Sequence, residues 1–336
     1  MTKRAATGAL IGLALGDAMG RPTEFLYDTA KIERLHGPWR ELPLPDPAKV
    51  TDDTDMTVAV ARALQTAADR GTLAPLRLTS PLREEYVEWA HRPQTGKAPG
   101  RTCLRAVALL TDESLPWHDA SQLDSKGCGA NMRVAPVGVF PGLSDTQRSA
   151  AAQLQAALTH GHPTALAAAD LTARAVYLLA QGTQPRELTG QLIAYAEEHR
   201  RVYHDRWLGT LWLGTPNASG EDYIEFGWEE CLKVLGWLDA AQHHADPESD
   251  PCIYTGEGWI AEEALGTALL CFLLFPEDPV TALRRAACTK GDSDSLACLT
   301  GAFAGAYLGA DAWPADWAER VEFGEELRGF GARWDG

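Results

Sequence analysis

The chain has 336 residues, 45% hydrophobic and 23% charged, and its 46 Asp and Glu outweigh 30 Lys and Arg for a formal net charge of −16. That length and apolar content supply a substantial core, while the acidic balance argues against a broad footprint on bare nucleic acid. The seven Cys are scattered with no CxxC pair, a pattern of reduced thiols in a cytoplasmic protein and not of a disulfide framework or zinc site.

The opening stretch MTKRAATGALIGLALGDAMG superficially resembles a signal peptide, with a basic start and an apolar run. Asp17 interrupts that run, which is well short of the roughly 20 apolar residues of a membrane span. Gly8, Gly12 and Gly16 put a glycine strip along one face of a helix predicted over 5–18. Apolar residues then recur at helical spacing, predicting helices over 54–69, 80–91, 101–111, 147–159, 163–181, 186–199, 227–240, 259–275, 279–288 and 294–309. Gly71, Gly182 and Pro276 punctuate several of the ends. RVAPVGVF at 133–140 is a short strand candidate, weakened by Pro136. Segments 37–50 and 241–258 are rich in Pro and Gly and read as surface loops. The expectation is a single mostly α-helical domain over 1–336 with no membrane segment.

Residues 51–57 read TDDTDMT, just ahead of the apolar run VAVARAL. Asp and Thr accept hydrogen bonds from the free N–H groups of a first helical turn, and their charge suits the helix dipole. One such residue makes a cap; adjacent Asp52 and Asp53 repel each other unless something positive neutralises them. The stretch GDSDSLACLTGAFAGAYLG repeats the pattern, with Asp292 and Asp294 ahead of a helix that carries Gly301, Gly305 and Gly309. A glycine inside a helix costs roughly 1 kcal/mol relative to Ala, and close helix contact is the obvious offset. The spacing therefore predicts that the first and last long helices pack together and bring their acidic ends, near Asp17 and Asp292, into proximity. Asp52, Asp53, Asp292 and Asp294, flanked by Thr51 and Ser295, then form a set of hard oxygen donors suited to Mg²⁺ or Mn²⁺. Paired ions of this kind clamp substrate oxygens or position a water. Two independent acidic caps are the alternative.

Between the clusters lies DSKGCGANMRVAPVG at 124–138, in which Gly127 and Gly129 flank Cys128. Such loops let backbone N–H groups approach phosphate oxygens, and Lys126 and Arg133 could add positive charge. The spacing is neither a P-loop nor a dinucleotide fingerprint, so a plain glycine turn is the competing reading.

Taken together, GALIGLALGDAMGRPTEF (8–25), TDDTDMT (51–57), SKGCGANMRVAPVG (125–138), THGHPTA (159–165) and GDSDSLACLTGAFAGAYLGADAWPADW (291–317) resemble the ADP-ribosylglycohydrolases, in family order over nearly the whole chain. The resemblance implies a compact all-α, orthogonal multi-helix fold around a cleft that holds two divalent metal ions, Mg²⁺ or Mn²⁺. It implies Thr51, Asp52, Asp53, Asp292, Asp294 and Ser295 as metal ligands; Ser295 stands where the family usually has Thr and keeps the hydroxyl. It implies Glu24 as the group that moves protons or positions water, with Asp53 assisting, and Asp17 as a residue orienting the groups around the substrate. Ser125, Gly127 and Gly129 would cradle the pyrophosphate of ADP-ribose, although many relatives carry Asn in place of Cys128. Gly100, in GKAPGRT (96–102), would face the phosphates, and His160 would line the ribose side.

The implied reaction is metal-dependent hydrolysis of the glycosidic bond between ADP-ribose and an acceptor, arginine on protein first. Serine, O-acyl, polymer and nucleic-acid linkages are alternatives, and a non-catalytic ADP-ribose-binding protein is the rival from another class. The expected partners are an ADP-ribosylated protein or small conjugate and ADP-ribose as product. Tyr254 and Trp259, flanking TGEG, are candidates to stack on adenine.

Overall fold

Helix Ala5–Gly20 lies against helix Ser293–Leu308 along the two glycine strips, antiparallel and almost without side chains between them. A Cβ on Gly8 would fall 2.3 Å from the Gly305 carbonyl oxygen, one on Gly12 2.3 Å from that of Gly301, and one on Gly16 1.9 Å from that of Ala297. The first helix is buried on every face from Ala6 to Gly20, as expected of a helix that is apolar all round. Its end reaches the second acidic cluster directly, because a Cβ on Gly20 would meet the Asp294 Cα at 2.4 Å. The predicted pairing of the first and last long helices is therefore present.

The computed structural model describes residues 3–71 and 73–336, and its regular structure is helical. Among the described residues β-pairing is confined to two isolated bridges, Gln122 with His160 and Gly127 with Ile260. The strand candidate at 133–140 is instead the short helix Ala135–Val139. Pro136 explains this: within a first turn its missing N–H has no intrahelical partner to lose. Other boundaries move outward, as in Asp52–Asp69, Pro75–His91 and Gly220–Ala241, while helices Thr29–His36 and Gly324–Asp335 carry too few apolar residues to stand out in sequence. The segments read as surface loops are partly internal: Leu42, Leu44 and Val50 join the core, and Cys252–Thr255 forms a helical turn with Cys252 and Thr255 buried.

Helix Pro163–Ala180 runs through the interior. Its Asp170 carboxylate accepts hydrogen bonds from Ser149 Oγ (2.5 Å), Gln153 Nε2 (2.8 Å) and Tyr195 Oη (3.0 Å), tying together helices Asp145–Ala157, Pro163–Ala180 and Pro185–His199. Near the end of the chain, Asp335 caps the first helix by accepting from the Ala6 N–H (2.7 Å), the Thr7 N–H (3.0 Å) and the Thr7 hydroxyl (2.6 Å). The seven Cys are buried and unbridged, and no described helix is long and apolar enough to cross a membrane.

Candidate active site

The helix Asp52–Asp69 begins above Asp17, and that carboxylate supplies its cap. Asp17 Oδ1 accepts from the Thr51 N–H and hydroxyl, both at 2.9 Å, while Oδ2 accepts from the Thr54 N–H (3.0 Å) and hydroxyl (2.5 Å). Thr51 adds its own oxygen as acceptor for the Asp53 N–H at 3.3 Å. With the first-turn donors satisfied in this way, Asp52 and Asp53 are free to turn their carboxylates elsewhere. Asp52 is held by its own N–H to the Lys97 carbonyl (2.9 Å) and by the Gly100 N–H to its Oδ2 (3.3 Å).

Both face a cavity of about 470 Å³, also lined by Glu24, Asp292, Asp294 and Ser295. Carboxylate oxygens of Glu24, Asp292 and Asp294 lie within 4.8 Å of one another. The neighbouring Asp55 is neutralised by Arg92 (3.4 Å) and Lys97 (3.6 Å), but among the described residues no cationic side chain pairs with Asp17, Glu24, Asp52, Asp53, Asp292 or Asp294. Burial, then the charge of Asp294 and Asp292, pushes the Glu24 carboxyl up to about 11. Burial and the Asp294 charge raise Asp17 to about 7 against the opposing hydrogen bonds from Thr54 and Thr51. The same two causes, in the same order, lift Asp52, Asp53 and Asp292 well above the usual carboxylate range. Asp53 Oδ2 is buried without any hydrogen-bond donor among the described residues. Crowded, desolvated carboxylates with an orphaned oxygen are relieved by protons or by a positive partner, and an all-oxygen donor set fits a hard divalent cation.

The glycine loop forms another wall. The Cys128 N–H donates to the Trp259 carbonyl (3.1 Å), which pins the loop between Gly127 and Gly129. A Cβ on Gly129 would lie 2.9 Å from Cys103 Sγ and 3.0 Å from the His160 ring, so the loop is pressed onto both. Gly127, Gly129, Gly100 and His160 all line the cavity. Ser125 sits one layer back, its hydroxyl 2.9 Å from that of Thr102, and Thr102 reaches the wall in its stead. The positive charge anticipated from this loop is not delivered to the cleft: Lys126 pairs with Glu262 and lies 3.9 Å from Glu230, and Arg133 is buried behind the loop. His162 accepts from the Thr164 N–H (3.2 Å) and serves as the cap of its helix.

Aromatic rings close the mouth. Phe25 and Trp259 stack at 6.0 Å with an 18° tilt, and Tyr27 packs on Trp259 at 5.9 Å. Phe25 (50% exposed) and Tyr27 (59%) both hold left-handed backbone, at φ 63° and 54°. Left-handed backbone at a bulky non-glycine residue costs about 1–3 kcal/mol, so the surrounding packing must hold both residues in place beside the cleft. Sequence reading missed Phe25 and Tyr27, because nothing in GRPTEFLYD distinguishes an exposed aromatic from a core one. Trp259, one of the two expected stacking residues, lies on this wall, whereas Tyr254 stands away from it, its hydroxyl accepting from the Asp246 N–H (3.0 Å).

The structure thus brings Glu24, Asp52, Asp53, Gly100, Gly127, Gly129, His160, Asp292, Asp294 and Ser295 to one cavity. Asp17 and Thr51 lie beneath it, each 0% exposed.

A model of the ADP-ribosylglycohydrolase family matches residues 2–334. The chain is 30% identical over 212 residues to the ADP-ribosyl-(dinitrogen reductase) glycohydrolase of Rhodospirillum rubrum, covering 61% of this chain and 67% of that one. It is 30% identical over 350 residues to the ADP-ribosylhydrolase ARH3 of Homo sapiens, covering 95% and 89% respectively. Among solved structures, an ADP-ribosylglycohydrolase-related protein complex superposes with a TM-score of 0.68 at 23% identity over 100% of this chain and 99% of the other, a likeness of fold.

Proposed function

The chain belongs to the ADP-ribosylglycohydrolases, a family of hydrolytic enzymes, and from that premise we propose that it cleaves the glycosidic bond of ADP-ribosyl-arginine on protein in a reaction that depends on divalent metal. The observation that carries the reading is the grouping of Glu24, Asp292 and Asp294 within 4.8 Å, with no cationic partner among the described residues, in one cavity with a glycine loop. Asp52, Asp53, Asp292 and Asp294, with the hydroxyls of Thr51 and Ser295, would hold two ions, Mg²⁺ or Mn²⁺. Such ions supply positive charge that fixes ribose hydroxyls and makes a nearby water more acidic.

The protein groups do the rest. Gly127 and Gly129 would offer amides to the pyrophosphate, while Gly100, whose N–H holds Asp52, lines the same cavity; this sets the distal ribose against the carboxylates. Glu24 reaches the same centre from the turn after the first helix; there it takes a proton from the attacking water or returns one to the departing acceptor. Asp53, which lines the same cavity, assists. Asp17 holds the Thr51–Thr54 turn so that neither aspartate drifts, since a misplacement of about 1 Å costs on the order of 100-fold in rate. Phe25, Tyr27 and Trp259 sit beside Glu24 at the mouth, where a guanidinium leaving the cleft would meet aromatic faces.

The family match leaves another ADP-ribose linkage as the second reading. The deciding experiment offers arginine-linked, serine-linked, O-acyl and polymeric ADP-ribose to the enzyme with Mg²⁺, Mn²⁺ or EDTA, beside an Asp292→Ala/Asp294→Ala variant. Metal-dependent release from arginine, abolished in the variant, supports the proposal. Release from another linkage alone moves the acceptor assignment, and release unaffected by EDTA overturns the metal role.

A further inference from the structure

Behind the glycine loop lies a cation without a carboxylate. Arg133 is 0% exposed, and among the described residues it forms no ion pair. Its guanidinium donates from Nε to the Gln155 side-chain oxygen (2.9 Å) and from Nη2 to the Gln155 carbonyl (2.8 Å) and the Thr159 hydroxyl (2.7 Å). Nη1 faces the sulfurs of Met56 (3.3 Å) and Cys103 (3.6 Å), and the ring of Tyr86 lies 4.4 Å below.

A guanidinium can only donate. The Thr159 oxygen therefore accepts from Arg133, and its single proton must point elsewhere. Two acceptors are in reach, His160 Nδ1 at 2.8 Å and the Ala156 carbonyl oxygen at 3.4 Å. The 2.8 Å contact is the better path for that proton: along it Nδ1 accepts and the ring proton sits on Nε2, whereas donation to Ala156 would leave Nδ1–H to fill the second Thr159 lone pair. That edge faces the glycine loop: a Cβ on Gly127 would come within 3.5 Å of Nε2, and one on Gly129 within 3.3 Å. His160 is 2% exposed and lines the cavity, and its Nε2 has no hydrogen-bond partner among the described residues. The opposite tautomer would present a lone pair to an incoming anion.

We infer that Arg133, acting through the Thr159 hydroxyl, fixes His160 as an Nε2–H donor aimed at the anion that Gly127 and Gly129 receive. Arg133 and Thr159 are positioning residues, and only His160 touches the ligand. The identification of the anion as the pyrophosphate of ADP-ribose rests on the proposed function; the tautomer does not. Burial, reinforced by the Arg133 charge, holds the His160 pKa down to about 3, which keeps the ring neutral at working pH. A neutral Nε2–H donor does not compete for the divalent cations that the same cleft would hold, whereas a charged imidazolium would repel them.

The test is the tautomer itself, read from two-bond ¹H–¹⁵N correlations of ¹⁵N-histidine-labelled protein, with the His160 signals assigned by their disappearance in His160→Gln. Wild type is expected to be Nε2–H without any ligand. Thr159→Ser keeps the hydroxyl and is expected to keep the tautomer. Thr159→Val keeps the shape and removes the hydroxyl; it is expected to shift the ring toward Nδ1–H and weaken calorimetric ADP-ribose binding about 10-fold. An Nδ1–H ring in wild type, or unchanged binding by Thr159→Val, would overturn the relay. The wild-type tautomer does not depend on Thr159→Val folding, so an Nδ1–H ring there overturns the relay whatever that variant does. A wild type with the Nε2–H ring that cleaves no ADP-ribose linkage supports the relay and overturns the proposed function; an active wild type with the Nδ1–H ring does the reverse.

Discussion

Asp17 and Thr51, 34 residues apart in sequence, are joined by paired 2.9 Å hydrogen bonds, from the Thr51 N–H and the Thr51 hydroxyl to one Asp17 oxygen. The contact assigns Asp17 to the scaffold of the site: it caps the helix that presents Asp52 and Asp53. Asp17→Asn would turn an amide N–H₂ toward donors that need an acceptor. The expected cost is about 3 kcal/mol of stability, read as a lower Tm, with metal affinity falling because the Asp52–Asp53 turn loosens. An Asp17→Asn protein that melts like wild type but no longer binds ADP-ribose would make Asp17 a ligand contact instead.

How much of this was legible in the sequence follows from what each residue's signal depends on. The pairing of the first and last long helices was readable because glycine at four-residue spacing has one physical use in a soluble helix. The acidic pairs were readable because Asp52 beside Asp53 exceeds what a cap requires. Two features were not. That Asp17 performs the capping depends on a contact between distant segments, and no local pattern encodes it. Arg133 looked like a phosphate ligand because a basic residue next to a glycine loop usually faces out; here Gln155 and Thr159, more than twenty residues later, draw it inward. Phe25 and Tyr27 were missed for a related reason, since exposure at the mouth is set by left-handed backbone at those two positions.

Glycine substitutions separate close approach from propensity. Gly16→Ala would place a methyl 1.9 Å from the Ala297 carbonyl oxygen, so the two buried helices must part; the expected loss is about 3 kcal/mol or more. Gly190→Ala, in helix Pro185–His199, meets nothing within 4 Å and is exposed. It should stabilise by about 0.5–1 kcal/mol. Urea midpoints of the two variants check the pair, and similar values would dissolve the close-packing argument.

Metal removal should reveal the repulsion within the cluster. Mn²⁺ or Mg²⁺ at about 100 times its dissociation constant is expected to stabilise the protein by about 2.7 kcal/mol. In EDTA the order reverses: Asp53→Asn, which takes a carboxylate out of the crowded cluster and puts an amide donor among the remaining acceptors, should melt above wild type. With metal present it should melt below. Thermal melts of both proteins in both conditions test this crossing, and an Asp53→Asn variant less stable than wild type even in EDTA would mean the cluster needs no cation.

At the mouth, Phe25→Ala breaks the stack with Trp259 while leaving the carboxylates in place. If the aromatic faces receive a guanidinium, KM for arginine-linked substrate should rise several-fold, in line with about 1 kcal/mol for a cation–π contact. Affinity for free ADP-ribose should change little. Equal losses for both would place the adenine, and not the acceptor, on this platform.

His160 predicts a pH dependence of stability with a definite sign. Its pKa is held down to about 3 in the fold, against about 6.5 for an unperturbed histidine. Between those values the unfolded chain binds a proton that the folded protein refuses, so stability increases with pH through the window and is lost as pH falls. Near pH 5 this one ring adds a slope of about 1.4 kcal/mol per pH unit. His162 and His204 are lowered for the same first reason, burial, and the acidic cluster pulls the other way, but all of these are shared with a His160→Gln variant and cancel in the difference. Unfolding free energies of the two proteins should therefore run parallel above pH 7 and converge or cross as pH drops toward 4.5, the variant gaining. Curves that stay parallel to pH 4.5 would show that His160 takes up its proton inside the fold, and the neutral donor assigned to the glycine loop would have to be given up.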